Sequence, residues 1–186
     1  MGRLLLGTVI GGVVLFAWGF ASWMFLDLHH LDVDPILPDE AAVVKALEGT
    51  ERGVYWIPGG SQDTEMGSDE YKAWEEKHKK GPTGFLVYDP KGSDPMSTTV
   101  MAIGVGINLL TAFAVALLLQ LAASRSFIKR FLMVFLVGVA VALVMDAQGW
   151  NWQGFPDDWV RGFVLDHLGG FAALGIVLAA IVRPRS

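Results

Sequence analysis

Long apolar stretches without a charged residue constrain this chain more than any other feature of its sequence. Leu4–Leu26 supplies 23 residues and Thr98–Ala123 supplies 26, and neither stretch contains a charged side chain. A hydrocarbon core about 30 Å thick is crossed by roughly 20 apolar helical residues. Both stretches therefore predict transmembrane helices.

Two shorter apolar runs predict a third and a fourth span. Phe131–Met145 and Leu168–Val182 contain 15 residues each. The third span reaches full length if Phe127–Arg130 belongs to it, with its two basic side chains extended towards the lipid headgroups. The fourth reaches full length by including Val160–His167, which carries an aspartate and a histidine next to each other.

The distribution of basic residues predicts the orientation of these spans. Lys and Arg accumulate in the short cytoplasmic connections of membrane proteins. Here the N-terminus, the connection between the second and third spans, and the C-terminus carry basic residues and no acidic one. We therefore expect a multi-pass protein of a bacterial inner (plasma) membrane, with both termini in the cytoplasm. The basic residues are Arg3, Arg125, Lys129, Arg130, Arg183 and Arg185.

The first span also resembles the apolar region of a secretory signal peptide. However, large aromatic residues occupy the place where a signal peptidase needs small ones. These are Trp18, Phe20 and Trp23. We therefore expect an uncleaved anchor.

The segment 32–97 differs in composition from the rest of the chain and holds most of its charge. Turn and capping residues predict the order helix, strand, helix, strand in this segment. We expect the two strands to pair and the segment to form a small cap. The predicted elements are Ala41–Leu47, Gly53–Pro58, Ser68–Lys80 and Gly84–Pro90.

These patterns together predict an all-α membrane protein with four transmembrane helices and a small α+β extracytoplasmic domain between spans 1 and 2. The expected divisions are 1–31 for the first span and its outer end, 32–97 for the domain, and 98–186 for spans 2–4. The chain has no cysteine, which excludes disulfides and thiolate chemistry. The domain must therefore keep its shape without covalent cross-links.

An aromatic motif between the last two spans carries a resemblance to a known family. Together with shorter motifs elsewhere, it resembles an uncharacterised family of bacterial four-span inner-membrane proteins over nearly the whole chain. The resemblance implies the four-span architecture and transfers no catalytic residue. The motif comprises Trp150, Asn151, Trp152, Gly154, Phe155 and Pro156, and the shorter motifs are Ala17–Phe20, Gly53–Pro58, Gly81–Gly84 and Leu86–Tyr88.

Six ionisable residues are expected near the outer boundary of the membrane. Ionisable groups at this depth are costly and usually face the interior of the helical bundle or a water-filled cavity. The six are therefore the candidate ligand or metal residues of this chain. They are Asp27, His29, His30, Asp146, Asp166 and His167.

Several interpretations of this carboxylate–imidazole cluster stay open. It can bind Zn²⁺ or another divalent ion, relay protons, or hold the headgroup of a quinone or lipid. Alternatively, its members form hydrogen bonds between helices. The adjacent His29 and His30 diverge by about 100° on a helix, and no closely spaced pair of metal-binding histidines is present. No cofactor is therefore predicted, and a divalent metal or a quinone is the alternative.

Other polar and small residues predict roles in packing. Gly7 and Gly11 place a small-residue face on the first span, which lets helix backbones approach closely. Asn108 in the second span predicts a hydrogen bond between helices. We expect the aromatic motif at 150–156 to form part of the aromatic belt at the membrane surface, although it can also line a ligand pocket.

The sequence ranks three functions. The first is a non-catalytic accessory or scaffold subunit of a larger membrane complex, because no catalytic motif is concentrated anywhere in the chain. The second is an ion-, proton- or small-ligand-handling protein that uses the Asp/His cluster. The third is a membrane enzyme that acts on lipid or quinone. The expected partners are membrane lipids and either foreign subunits or further copies of the chain, with no nucleic acid.

Overall fold

A computed structural model describes residues 1–29, 37–60 and 64–183. The chain divides into two compact units, one formed by Met1–Val33 with Pro95–Ser186 and the other by Asp34–Asp94. In chain order the elements are α1 (Gly2–Met24), α2 (Glu40–Ala46), β1 (Gly53–Ile57), α3 (Asp69–Lys80), β2 (Gly84–Tyr88), α4 (Thr98–Ala122), α5 (Phe127–Ala142), a π-helical turn (Leu143–Ala147), α6 (Gln148–Gln153) and α7 (Asp157–Ile181).

Four helices of the first unit are long and apolar enough to cross a membrane, as predicted. The third is longer than expected, because α5, the π-helical turn and α6 form one continuous rod over Phe127–Gln153. Only residues 154–156 connect this rod to the fourth span. Gly154 ends the rod in the left-handed conformation (φ 70°), which glycine adopts without strain.

The four spans lie in a row in the order α4, α1, α7, α5. α1 packs against both α4 and α7, and α5 packs against α7, whereas α4 and α5 barely touch. The membrane unit is therefore an open layer of helices, and α1 and α7 occupy its centre.

Small residues let the central helices approach closely. A side chain at Gly11 would place its Cβ 2.9 Å from Leu174 Cδ1 and 3.1 Å from Ala112 Cβ, and one at Gly7 would lie 2.8 Å from Val182 Cγ2. Side chains of α7 and α4 therefore pack directly on the backbone of α1 at these glycines. The apolar core built around them comprises Leu4, Ala112, Val115, Ala116, Leu119, Val134, Phe171, Leu174, Leu178 and Val182.

Arg130, which was predicted to extend towards the lipid headgroups, is buried against other residues of the protein. Its side chain is buried, with Nε and Nη2 donating to the Ala179 carbonyl oxygen at 3.0 and 2.7 Å, and Nη1 donating to the Ser124 carbonyl oxygen at 2.8 Å. Ala179 lies in the last turn of α7, where carbonyl groups lack helical partners. A cation at this end also complements the helix dipole, so Arg130 joins α5 to the end of α7.

The second unit has the predicted order of helix, strand, helix, strand. β1 and β2 pair antiparallel from Gly53 opposite Tyr88 to Ile57 opposite Gly84. Asp39 caps α2 by accepting from the Ala42 amide at 2.9 Å, and Ser68 caps α3 by accepting from the Tyr71 amide at 3.1 Å. None of the described residues of this unit is fully buried.

We expect Gly138→Ala to destabilise the membrane unit by about 1–3 kcal/mol, the usual cost of overpacking a core. The added methyl group would overlap the Phe171 side chain where α5 meets α7. The free energy of unfolding in detergent, measured by SDS titration, tests this. Gly19→Ala is the matched control, because nothing lies within 4 Å of its added Cβ, and it should leave stability unchanged or slightly raised. Equal stability of the two variants would contradict the observed packing.

Candidate functional site

Two consecutive polar residues of α7 point towards different neighbours. Asp166 and His167 are separated by about 100° around the helix axis. Asp166 contacts α1 and the residues that follow it, whereas His167 contacts the π-helical turn of the third span. α7 therefore carries one ionisable pair on each side.

His167 pairs with Asp146. The distance from His167 Nδ1 to Asp146 Oδ2 is 2.7 Å, and Asp146 is buried at 7% exposure. Asp146 lies in the π-helical turn, a rare local geometry that occurs often at functional sites. The carboxylate holds one ring nitrogen of His167, and the half-buried ring keeps its other nitrogen for a second interaction.

Asp166 receives its strongest contact from Trp18. The indole Nε1 donates to Asp166 Oδ1 at 2.7 Å and lies 3.0 Å from the Asp166 carbonyl oxygen. The indole lies against the backbone of Gly169, where any side chain would overlap the ring. Trp18 of α1 therefore reaches Asp166 only because α7 has no side chain at Gly169.

His29 approaches the same carboxylate from the segment after α1. Its Nε2 lies 3.4 Å from Asp166 Oδ2, within ion-pair distance, and neither ring nitrogen forms a hydrogen bond with the described part of the chain. The ring is stacked on Trp23 with centroids 4.0 Å apart, and its side chain is fully buried. Phe163 contacts it edge-on with centroids 4.7 Å apart.

Close backbone contact brings His29 to α7. The Leu28 carbonyl oxygen lies so near Gly162 that a side chain there would overlap it. Asp27 adopts a positive φ of 54°, which turns the chain back towards α7 after α1 ends. Asp27 itself is exposed, and His30 lies outside the described residues.

The predicted cluster thus contains two pairs, Asp166 with His29 and Asp146 with His167. Within residues 1–29, 37–60 and 64–183, no three His, Asp or Glu side chains are placed to hold a metal ion. Each pair supplies one imidazole and one carboxylate, whereas zinc sites use three or four protein ligands. Each pair therefore places one imidazole beside one carboxylate.

The aromatic motif connects the end of the third span to the start of the fourth. Trp150 Nε1 donates to Asp157 Oδ1 at 2.7 Å, and the Phe155 ring covers Gly149. Pro156 precedes the first residue of α7, and Trp152 is 77% exposed. The motif therefore closes a tight turn and leaves both of its indoles exposed.

Sequence reasoning did not identify Trp18, Trp23 and Phe163 as part of the site. Aromatic residues near the ends of spans are common because they lie at the membrane surface. Nothing in their spacing marks the three that contact Asp166 or His29.

Comparisons with protein-family models, with curated proteins and with solved structures found no match to this chain.

We expect the two pairs to behave as independent units in double-mutant cycles. Asp146→Leu and His167→Leu should show a coupling energy of about 1–3 kcal/mol, because either change alone leaves its partner unpaired. The cross-cycle of Asp146→Leu with His29→Leu should be additive within about 0.5 kcal/mol. Free energies of unfolding in detergent test both cycles. A large coupling in the cross-cycle would show instead that the four residues form one network.

Proposed function

We propose that this chain is a non-catalytic accessory or scaffold subunit of a larger membrane complex. In this proposal it lies in a bacterial-type inner membrane with both termini in the cytoplasm and residues 32–97 outside. The orientation is supported by the basic residues at both termini and between α4 and α5. The observation that carries the proposal is the environment of Asn108.

Asn108 is a polar residue near the middle of a span with no partner in the described structure. It lies ten residues after the start of α4 at Thr98, which is about 15 Å along the helix and half of a bilayer core about 30 Å thick. Its side chain is half-buried and forms no hydrogen bond with any described residue. An amide without a partner at this depth is unfavourable, and another helix can supply one.

Asn108 lies at the edge of the face that α4 packs on α1, because Ala112, one turn later on the same face, is fully buried against α1. Gly104 lies one turn before it, and nothing is within 4 Å of a Cβ built there. Thr111 lies one turn after it, with its hydroxyl already donating to the Ile107 carbonyl oxygen at 3.0 Å. Small residues on either side of a polar one are typical of helix–helix interfaces in membranes.

The open arrangement of the spans supports the same proposal. α4 lies at one end of the row, and among the described spans it packs extensively only against α1. The α+β unit also lacks a fully buried residue among those described. A small domain without cross-links gains stability when a partner covers its apolar surface.

Replacing Asn108 tests the proposal. We expect the wild-type chain, purified from its own membrane in mild detergent, to retain stoichiometric foreign subunits identified by mass spectrometry. Asn108→Leu should reduce their retention roughly 5- to 30-fold, because one hydrogen bond between helices contributes about 1–2 kcal/mol. Asn108→Gln should retain part of the partner, since the amide is kept.

Leu110→Ala is the matched control, because Leu110 is 69% exposed and lies off the Gly104–Asn108 face. It should leave partner retention unchanged. Recovery of only further copies of this chain would replace the accessory role with self-association. Recovery of a monomer, or full retention by Asn108→Leu, would overturn the proposal.

A second function, proton handling, is favoured by the environment of His29. This imidazole is buried between two aromatic rings and beside a carboxylate, yet its ring nitrogens make no hydrogen bond within the described chain. Buried polar atoms are rarely left without a hydrogen bond, and the exceptions occur where a proton or ligand is exchanged. Asp166 and His29 would then be the exchanging pair.

Purified chain in liposomes loaded with a pH-sensitive dye tests this second function. We expect it to speed equilibration of an imposed pH gradient, and Asp166→Asn to abolish the effect while the folded helical signal is kept. Asp157→Asn is the control, since Asp157 lies at the exposed start of α7. Wild-type liposomes indistinguishable from empty ones would exclude the function.

A further inference from the structure

The α+β unit contains a cleft that the proposed membrane function does not use. It lies between the C-terminal end of β1, with residues 58–60 after it, and α3, and its volume is about 670 Å³. Small-molecule sites in proteins commonly measure about 300–1,000 Å³. The cleft is therefore large enough for a ligand.

Trp74 forms the floor of this cleft and is held in one orientation. Its indole Nε1 donates to the Pro58 carbonyl oxygen at 3.3 Å. A side chain at Gly60 would place its Cβ 2.9 Å from Trp74 Cδ1, so the loop can lie against the ring only because this residue is glycine. Since the loop occupies the N–H group of the indole, the ring offers the cleft an apolar face.

Two further rings lie beside Trp74 along α3, tilted to it by 43° and 49°. Tyr71 and His78 lie on either side of Trp74, with ring centroids 5.7 and 5.2 Å from it. The three positions share one face of the helix and span about 10 Å at 1.5 Å per residue. Trp56, which is 54% exposed at the end of β1, forms the opposite wall.

Charged groups of opposite sign flank the aromatic floor. Glu70 lies one turn before Trp74 and Lys77 lies one turn after it, and both line the cleft. Neither forms an ion pair with another described residue, so the carboxylate can accept and the ammonium can donate hydrogen bonds to a ligand. Because the charges balance, the cleft does not favour a polyanion such as a nucleotide.

We propose that this cleft binds a short neutral carbohydrate of about disaccharide size. A pyranose ring presents an apolar face of C–H groups that stacks on an indole, and a rim of hydroxyls that both donate and accept hydrogen bonds. The floor built from Tyr71, Trp74 and His78 matches the first feature, and Glu70 with Lys77 matches the second. A purely apolar ligand would leave both charged groups without hydrogen bonds from the ligand.

Saturation-transfer NMR on the full chain in nanodiscs tests the proposal with chitobiose, cellobiose and maltose as probes. We expect at least one of them to receive saturation on its ring C–H protons, with a Kd on the order of 1 mM. Trp74→Ala should abolish the signal. Because this change also removes the contact with the loop, a second pair of variants keeps the test independent of folding.

Glu70→Gln and Lys77→Ala alter exposed side chains that hold no part of the fold, and each should weaken binding several-fold with an unchanged melting temperature. The matched controls are Glu76→Gln and Lys80→Ala, on the same helix but outside the cleft lining, and both should bind as the wild type does. No transfer to any of the three sugars would overturn the proposal. Transfer instead to glycine betaine or to a short peptide, included as competitors, would overturn the assignment to carbohydrate.

Discussion

The close packing of α1 on α7 is the interaction on which the rest of the membrane unit depends. Side chains of α7 pack directly on the α1 backbone at Gly7 and Gly11, and the Trp18 indole of α1 packs on the α7 backbone at Gly169. Inside a membrane, apolar burial does not drive helices together, so close van der Waals contact and internal hydrogen bonds must do so. These two helices form the centre of the row, and α4 and α5 are each added to one side of it.

The same packing makes the ionisable pairs tolerable. Asp166 accepts from Trp18 only because the indole lies flat on Gly169, and His29 reaches that carboxylate only because Gly162 admits the Leu28 carbonyl group. Charged groups placed in lipid without such partners are costly. The helix packing therefore brings the paired groups together, and their contacts in turn help to hold the helices in place.

Asn108 contrasts with these satisfied groups. Arg130 and Asp146 find partners within the chain, whereas Asn108 has none among the described residues. It lies on α4, the helix at the end of the row of described spans. This contrast is why we place the contact with a partner there, and why the central pairs are assigned to the second function.

The sequence by itself determined the number and placement of the spans and the order of elements in the α+β unit, because these depend on local signals. A run such as Thr98–Ala123 needs only its own composition to be helical in a membrane, and Ser68 needs only neighbouring amides to cap α3. Only the tertiary structure decided which polar groups meet. Whether Asp166 faces Trp18 or lipid, and whether Arg130 reaches headgroups or the Ala179 carbonyl oxygen, depends on helices far apart in the sequence and on the glycines that let them approach.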